Sequence, residues 1–296
     1  MKSNNTHLSL EERIKRLGAA PKTGKAHAPP GLTSNQIRVV VAIERAVARL
    51  EAETSLREHL IFKGGFVLLK TIESARFTRD LDALAFDIDQ EKAAELIKKA
   101  LTCDLEDSLW FVDIQTETIP DQGDYGGLRL NCAFQIGKAA PESAKIKKLS
   151  RIHIDIGFGD EVPEQAKQKI QEMPSVLGSD PVSWRVYPLE FIFAEKLQTL
   201  IMRGSSNSRA KDVYDLAEIF PKCGNRPVLV RAIRLVFKNR KTSLPENIAE
   251  TVGRFDRGVL SAAWGSVDVS GSAPTFEDCW NRLLTLLHQL AEDLKT

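Results

Sequence analysis

The chain is poor in cysteine, and none of it is paired by spacing. Cys103, Cys132, Cys223 and Cys279 are scattered over 296 residues without a Cys-x-x-Cys. That argues against a zinc site or a disulfide framework and predicts buried free thiols in a reducing compartment. No apolar run approaches the roughly 20 residues that a membrane-spanning helix requires. The polar start, Met1 to His7, lacks the apolar stretch of a signal peptide, so a cytoplasmic protein with no membrane partner is expected. A net charge of +1 excludes a globally basic nucleic-acid binder and leaves room only for a local basic patch. There is no internal repeat and no aromatic ladder for base stacking.

What is present is ordinary globular material, 43% apolar and 27% charged, enough for one large domain or two modest ones with a core. Residues 1–33 read as an N-terminal arm: a short amphipathic piece (Leu8 to Leu17), then a stretch poor in core residues with Pro21, Lys22, Gly24 and Pro29-Pro30-Gly31. Thr33 or Ser34 caps a first long helix in which Ile37, Val41, Ile43, Val47 and Leu50 recur at helical spacing. Strands are expected at Leu60 to Phe62, Asp80 to Phe86, Trp110 to Ile119, Leu128 to Ile136 and Ile152 to Phe158, with a helix over Glu91 to Leu101. Gly137 to Ser150 reads as a charged loop, and the chain after Pro163 as an irregular boundary. From Pro188 the period is helical: Leu189 to Arg203, Ala210 to Phe220, Pro227 to Lys238, Phe276 to Leu294. Strands first and helices after predict an α+β protein: a catalytic domain over 34–187 and a helical C-terminal domain over 188–296.

The chemistry concentrates in Lys63-Gly64-Gly65 and in Arg76-Phe77-Thr78-Arg79-Asp80-Leu81-Asp82. On a strand, alternate side chains share a face, so Asp80 and Asp82 project together. Two such carboxylates suit a hard cation such as Mg²⁺. The glycines let backbone amides approach phosphate without a Cβ in the way, and Arg76 and Arg79 add positive charge. In Ile152 to Phe158 the isoleucines point one way and His153 and Asp155 the other. If that strand lies beside Asp80 and Asp82, Asp155 completes a three-carboxylate cluster able to hold two Mg²⁺. His153 is then a hydrogen-bonded neighbour, since Mg²⁺ prefers oxygen.

Two further patterns lie in the helical half. Lys196 and Arg203, seven apart, share a helix face, and Asp212 and Asp215 share a face of the next helix. Lys196 is expected to offer a point charge to phosphate, oriented by one of those carboxylates. An interhelical salt bridge is the plain alternative. Arg231, Arg234, Lys238 and Lys241 form a basic stripe opposite Leu229, Ile233 and Val236, suited to a phosphate backbone.

Taken in order, Phe62-Lys63-Gly64-Gly65-Phe66, Arg76 to Asp82, Ile154-Asp155-Ile156-Gly157-Phe158-Gly159-Asp160, Tyr187-Pro188-Leu189-Glu190, Ala194-Glu195-Lys196-Leu197 and Asn207 to Leu216 resemble the AbiEii/AbiGii-type nucleotidyltransferase toxins of abortive-infection systems. These are a branch of the DNA polymerase β-like superfamily. The resemblance spans roughly residues 36–220. It implies a nucleotidyltransferase-type mixed sheet flanked by helices, Asp80 and Asp82 on metal, and Lys196 on triphosphate. Asp212 falls at the family's later catalytic acidic position and Thr78 at its hydroxyl position before the Asp pair. Phe66 departs from the small or hydroxylated residue of many relatives.

The expected function is therefore Mg²⁺-dependent transfer of a nucleoside monophosphate from an NTP to an acceptor hydroxyl. By resemblance this is a toxin with a separately encoded antitoxin, acting on tRNA 3′ ends. The alternatives are the same chemistry on a protein or small molecule, or a catalytically silent binding module on the same fold.

Overall fold

The computed structural model describes residues 8–19, 31–119, 126–159, 162–178 and 181–295, and the chain forms two compact units, Met1–Val186 and Tyr187–Thr296. Met1 to His7, the Pro21 to Pro30 stretch and Asp160 lie outside the described residues.

The first unit begins with α1 (Leu10–Ala19), whose Ile14 is fully buried against α2 (Ser34–Ala52). Thr33 starts α2 through a reciprocal capping box: its hydroxyl accepts from the Gln36 N–H, and the Gln36 side chain accepts from the Thr33 N–H. A four-residue turn, α3 (Thr54–Arg57), leads to β1 (Leu60–Lys63), α4 (Gly64–Thr71) and β2 (Asp80–Ala85). Asp89 caps α5 (Gln90–Thr102), and then come β3 (Leu109–Ile119), β4 (Gly127–Ile136) and β5 (Ser150–Phe158). The charged loop before β5 contains a 3-10 turn over Ser143–Lys148 with every residue outside the core.

These strands make one mixed sheet ordered β1-β2-β5-β4-β3, parallel only between β2 and β5. Its inner face is apolar: Leu81 and Ala83 of β2, Leu130 and Cys132 of β4, and Ile152, Ile154 and Ile156 of β5 have no exposed surface. Helices α2, α4 and α5 pack against the sheet. Burial of that size is the main stabilising term of the unit.

Two buried ion pairs fix α2 in place. Arg49 donates to both Asp107 oxygens (2.8 and 2.9 Å) and to Leu109 O, tying the helix to the start of β3. Glu44 pairs with Lys70 of α4 and accepts from Val176 N at 2.9 Å, which pins the segment after Pro174.

The chain after Pro163 is more ordered than its sequence predicts. It holds a short helix, α6 (Glu164–Gln168), and a separate hairpin of β6 (Ile170–Met173) and β7 (Val182–Arg185). Trp184 of β7 packs on Phe62 and Phe66, with ring centroids 5.6 and 6.0 Å apart, and Val186 bridges to Phe62. Large apolar side chains at the ends of four-residue strands give this segment its place.

The second unit is helical: α7 (Leu189–Arg203), α8 (Ala210–Ile219), α9 (Arg226–Asn239), α10 (Ile248–Gly253), α11 (Gly258–Ala262) and α12 (Phe276–Lys295). Gly204, at φ +51°, ends α7, and Asn225 and Asn247 cap α9 and α10 with their side chains. Helix α7 packs against α8 and α9, while α12 covers α8 and α10. Phe193, Phe220, Phe237 and Trp280 fill the interior. Of the four thiols, Cys132, Cys223 and Cys279 are buried, and burial pushes the first two up to about 12. Cys103 is exposed, contrary to expectation, because it follows the last turn of α5.

Candidate active site

Strand alternation places Leu81 and Ala83 in the core and leaves Asp80 and Asp82 half-buried on the opposite face of β2. Register then builds a lateral row across all five strands. Lys63 stands opposite Asp82, Asp82 beside Asp155, Asp155 opposite Arg129, and Arg129 opposite Glu117. A second row runs Asp80, His153, Asn131, Gln115. His153 Nδ1 lies 3.1 Å from Asp80 Oδ1, the hydrogen-bonded neighbour its residue type suggests. Farther along β5, Arg151 donates to Asn131 and to both the carboxylate and carbonyl of Asp113, holding the bulge in β3.

The glycine pair opens α4 directly against this face. Gly64 has φ +75°, and a Cβ built on it would lie 1.9 Å from Asp82 Oδ2. A Cβ on Gly65 would lie 2.6 Å from Arg76 Nη2. The protein's own Asp82 and Arg76 therefore fill the room that the missing Cβ atoms leave. Carboxylates beside a helix N-terminus are favoured by the helix dipole. Arg76 is buried, with its guanidinium packed over Gly65, whereas Arg79 is exposed and lies over the Phe77 ring at 5.8 Å. Thr78 is buried and its hydroxyl accepts from Asp80 N at 3.1 Å, so it turns the chain into β2.

Register brings the third expected carboxylate to the same face. Asp155 does stand beside Asp82, but Arg129 holds both of its oxygens: Nε donates to Oδ1 at 2.7 Å and Nη2 to Oδ2 at 2.6 Å. Those hydrogen bonds raise the Arg129 guanidinium above its ordinary range. Among the described residues no group of three or more His, Cys, Asp or Glu is arranged to hold a metal. Asp80 and Asp82 place two hard oxygen donors on one face of β2. Such a pair fits Mg²⁺, which keeps waters and takes phosphate oxygens as its other ligands. Arg129 escaped the sequence reading. Its one signal was its place on the polar side of Leu128-Arg129-Leu130-Asn131.

The second unit carries the other predicted group. Lys196 Nζ lies 2.6 Å from Asp212 Oδ1 and 2.9 Å from Asp215 Oδ2, and Arg209 Nε lies 2.6 Å from Asp212 Oδ2. Burial pushes the Asp212 carboxyl up, but Lys196 and Arg209 outweigh it and hold it at about 2. The lysine side chain is 12% exposed, so the α7 to α8 ion-pair cluster anticipated as the plain alternative is formed. On α9 the side chains of Arg231, Arg234 and Lys238 are all exposed along one face. Lys241 is exposed too but falls beyond Asn239, the last residue of the helix, at φ +48°, so the basic stripe is one residue shorter than its spacing suggested.

A five-stranded mixed sheet with an Asp pair on its open face, beside a glycine helix start and followed by a helical unit, is the arrangement of a nucleotidyltransferase. Two crystal structures from Helicobacter pylori share the fold. JHP933 is 16% identical, with 89% of this chain and 95% of that chain covered and a TM-score of 0.53. A protein put forward as a nucleotidyltransferase is 14% identical, with 89% and 98% covered and a TM-score of 0.54. No curated protein matches the chain. The profile of the family described as "Nucleotidyl transferase AbiEii toxin, Type IV TA system" matches residues 45–281. The chain belongs to that family: it is a nucleotidyltransferase, of the toxin type that works against a separate antitoxin and uses an NTP.

Proposed function

We propose that the protein transfers a nucleoside monophosphate from an NTP to the 3′ end of tRNA in a Mg²⁺-dependent reaction. The observation that carries the reading is the placement of Asp80 and Asp82 on one sheet face, with Asp82 set against Gly64 at the start of α4. Asp80 and Asp82 would hold the cation, which when bound supplies charge neutralisation at the phosphates. His153 orients Asp80. Arg79, exposed beside Asp80, offers a charge to the triphosphate, and Lys63 and the α4 start flank Asp82. Lys196 is assigned a phosphate contact, with Asp212 and Asp215 fixing its ammonium group. Catalysis of this kind is mainly positioning and electrostatic stabilisation of the leaving pyrophosphate. A nucleic-acid acceptor is supported by the exposed Arg231, Arg234 and Lys238 on α9.

The test incubates purified protein with each α-labelled NTP, Mg²⁺ and either total cellular RNA or protein extract. Label in a tRNA-sized band that is absent with Asp80→Ala/Asp82→Ala supports the reading. Label confined to protein would replace the acceptor, and no label in either would leave a silent module on this fold.

A further inference from the structure

Strands β4 and β5 are antiparallel neighbours, so a turn of about two to five residues would suffice to join them. The chain instead uses residues 137–149, and none of these is buried. A long connection that adds nothing to the core is the kind that carries binding rather than stability. Its base is anchored. Gly137 N donates to Ser108 O at 2.9 Å, Trp110 Nε1 to Gly137 O at 3.0 Å, and Gln135 Nε2 to Ala139 O at 3.0 Å. Beyond that base stand Lys138, Lys145, Lys147 and Lys148, all exposed, the last three on the 3-10 turn Ser143–Lys148. Four lysines against the single Glu142 give the connection a net charge of +3, where the whole chain carries +1. Lys145 pairs with Glu142 at 3.0 Å, and Lys138, Lys147 and Lys148 have no carboxylate partner among the described residues. Parallel pairing fixes where this charge lies. β2 begins beside His153, whose N–H donates to Arg79 O at 3.2 Å. The connection enters β5 at Ser150, three residues earlier and so roughly 10 Å along the strand from the level of Asp80. The lysines and the exposed Arg79 therefore stand at one end of the sheet, the end at which the acidic face begins.

We propose that the connection over residues 137–149 is an acceptor-binding surface: its lysines hold the phosphate backbone of an RNA strand whose 3′ end enters the acidic face past Arg79. The inference rests on the nucleotidyltransferase reading above and deepens it, by giving the catalytic unit its own hold on the acceptor. RNA is favoured over an acidic protein by what the connection lacks. Protein interfaces are anchored by large aromatic or apolar side chains and by arginine. Residues 137–149 contain no aromatic residue, no methionine and no arginine, and their two larger apolar side chains, Ile146 and Leu149, are half-buried. Exposed ammonium groups on flexible stems suit phosphates, where charge rather than a fixed fork makes the contact. Such contacts position a strand without reading its sequence.

The experiment measures binding of fluorescein-labelled total tRNA by anisotropy across a salt series, on the full chain. In parallel, pyrophosphate release is followed against tRNA concentration in Mg²⁺ and NTP. Lys145→Gln/Lys147→Gln/Lys148→Gln should bind tRNA about tenfold or more weakly at low salt, and its slope of log affinity against log salt should fall by about 2–3. Its KM for tRNA should rise by a similar factor while the Tm stays at the wild-type value. Lys145→Arg/Lys147→Arg/Lys148→Arg keeps the charge and should keep the affinity. Wild-type affinity and slope, or a wild-type KM, in the glutamine variant overturns the proposal and leaves the transferase reading intact, as does wild-type protein that binds no tRNA but still transfers. Label that passes from an α-labelled NTP to protein in wild type and not in the glutamine variant overturns it too, and makes the connection a protein-docking surface. Wild-type protein that binds tRNA through these lysines and releases no pyrophosphate overturns the transferase reading and leaves the RNA-binding surface in place.

Discussion

Gly64 and Asp82 occupy each other's space: a Cβ on the glycine would stand 1.9 Å from the aspartate's Oδ2. The contact links the two halves of the sequence motif. The glycine is required twice over, by its φ of +75° and by the carboxylate that lies where its side chain would be. Gly64→Ala should therefore displace Asp82 as well as strain the turn. We expect a loss of transfer rate of about a hundredfold or more, with a fall in stability of roughly 1–2 kcal/mol from the backbone strain. Rate and urea midpoint measured on the same preparation check this; an active, merely less stable variant would contradict it.

Asp212 links the second unit to pH. Its carboxyl is held at about 2, below the ordinary 3.8, against the effect of its burial. A depressed folded-state value means that its stabilisation is complete above about pH 4 and is lost as pH falls through about 2. The shift corresponds to about 2 kcal/mol. The difference in unfolding free energy between wild type and Asp212→Asn should shrink by about that amount between pH 5 and pH 2. A difference that stays constant would show that Lys196 and Arg209 do not stabilise the charged form.

The Glu44–Lys70 pair is almost wholly buried, and desolvation lowers the lysine despite its partner. Glu44→Gln leaves that ammonium without a counter-charge and should destabilise the protein by roughly 3 kcal/mol. Adding Lys70→Met to Glu44→Gln should recover part of the loss, because the two changes act on one interaction. Denaturant unfolding of the double-mutant cycle reads this directly, and additive losses would mean that the pair is not coupled.

On α9, Arg231 and Lys238 are exposed and lie outside the apolar face of the helix. If tRNA is the acceptor, Arg231→Ala/Lys238→Ala should reduce the slope of log affinity against log salt by roughly 1–2, without changing the Tm. Unchanged salt dependence would remove this helix from the acceptor surface.

Much of this arrangement was legible in the sequence because alternation reports which face a side chain takes. Asp80, Asp82, His153 and Asp155 each sit opposite an apolar neighbour, and the strands carrying them were placed correctly. Alternation says nothing about which strands are neighbours or in what register. Arg129 could not be read as the partner of Asp155 until β4 and β5 were paired. The same limit hid the hairpin of β6 and β7, whose four-residue strands among Pro174, Gly178 and Pro181 carry little periodic signal. Helical spacing did anticipate a salt bridge from Lys196 to the next helix, but not that both Asp212 and Asp215 would hold the ammonium group at once.

The central claim is that the acidic pair on the sheet face performs the transfer. The most direct measurement compares pyrophosphate release from NTP and acceptor RNA by wild type and by Asp80→Asn/Asp82→Asn, each in Mg²⁺ and after chelation. The account predicts release only by wild type in Mg²⁺, with both other conditions lower by at least about a hundredfold. Equal release by the double variant would contradict it and move the chemistry away from this face.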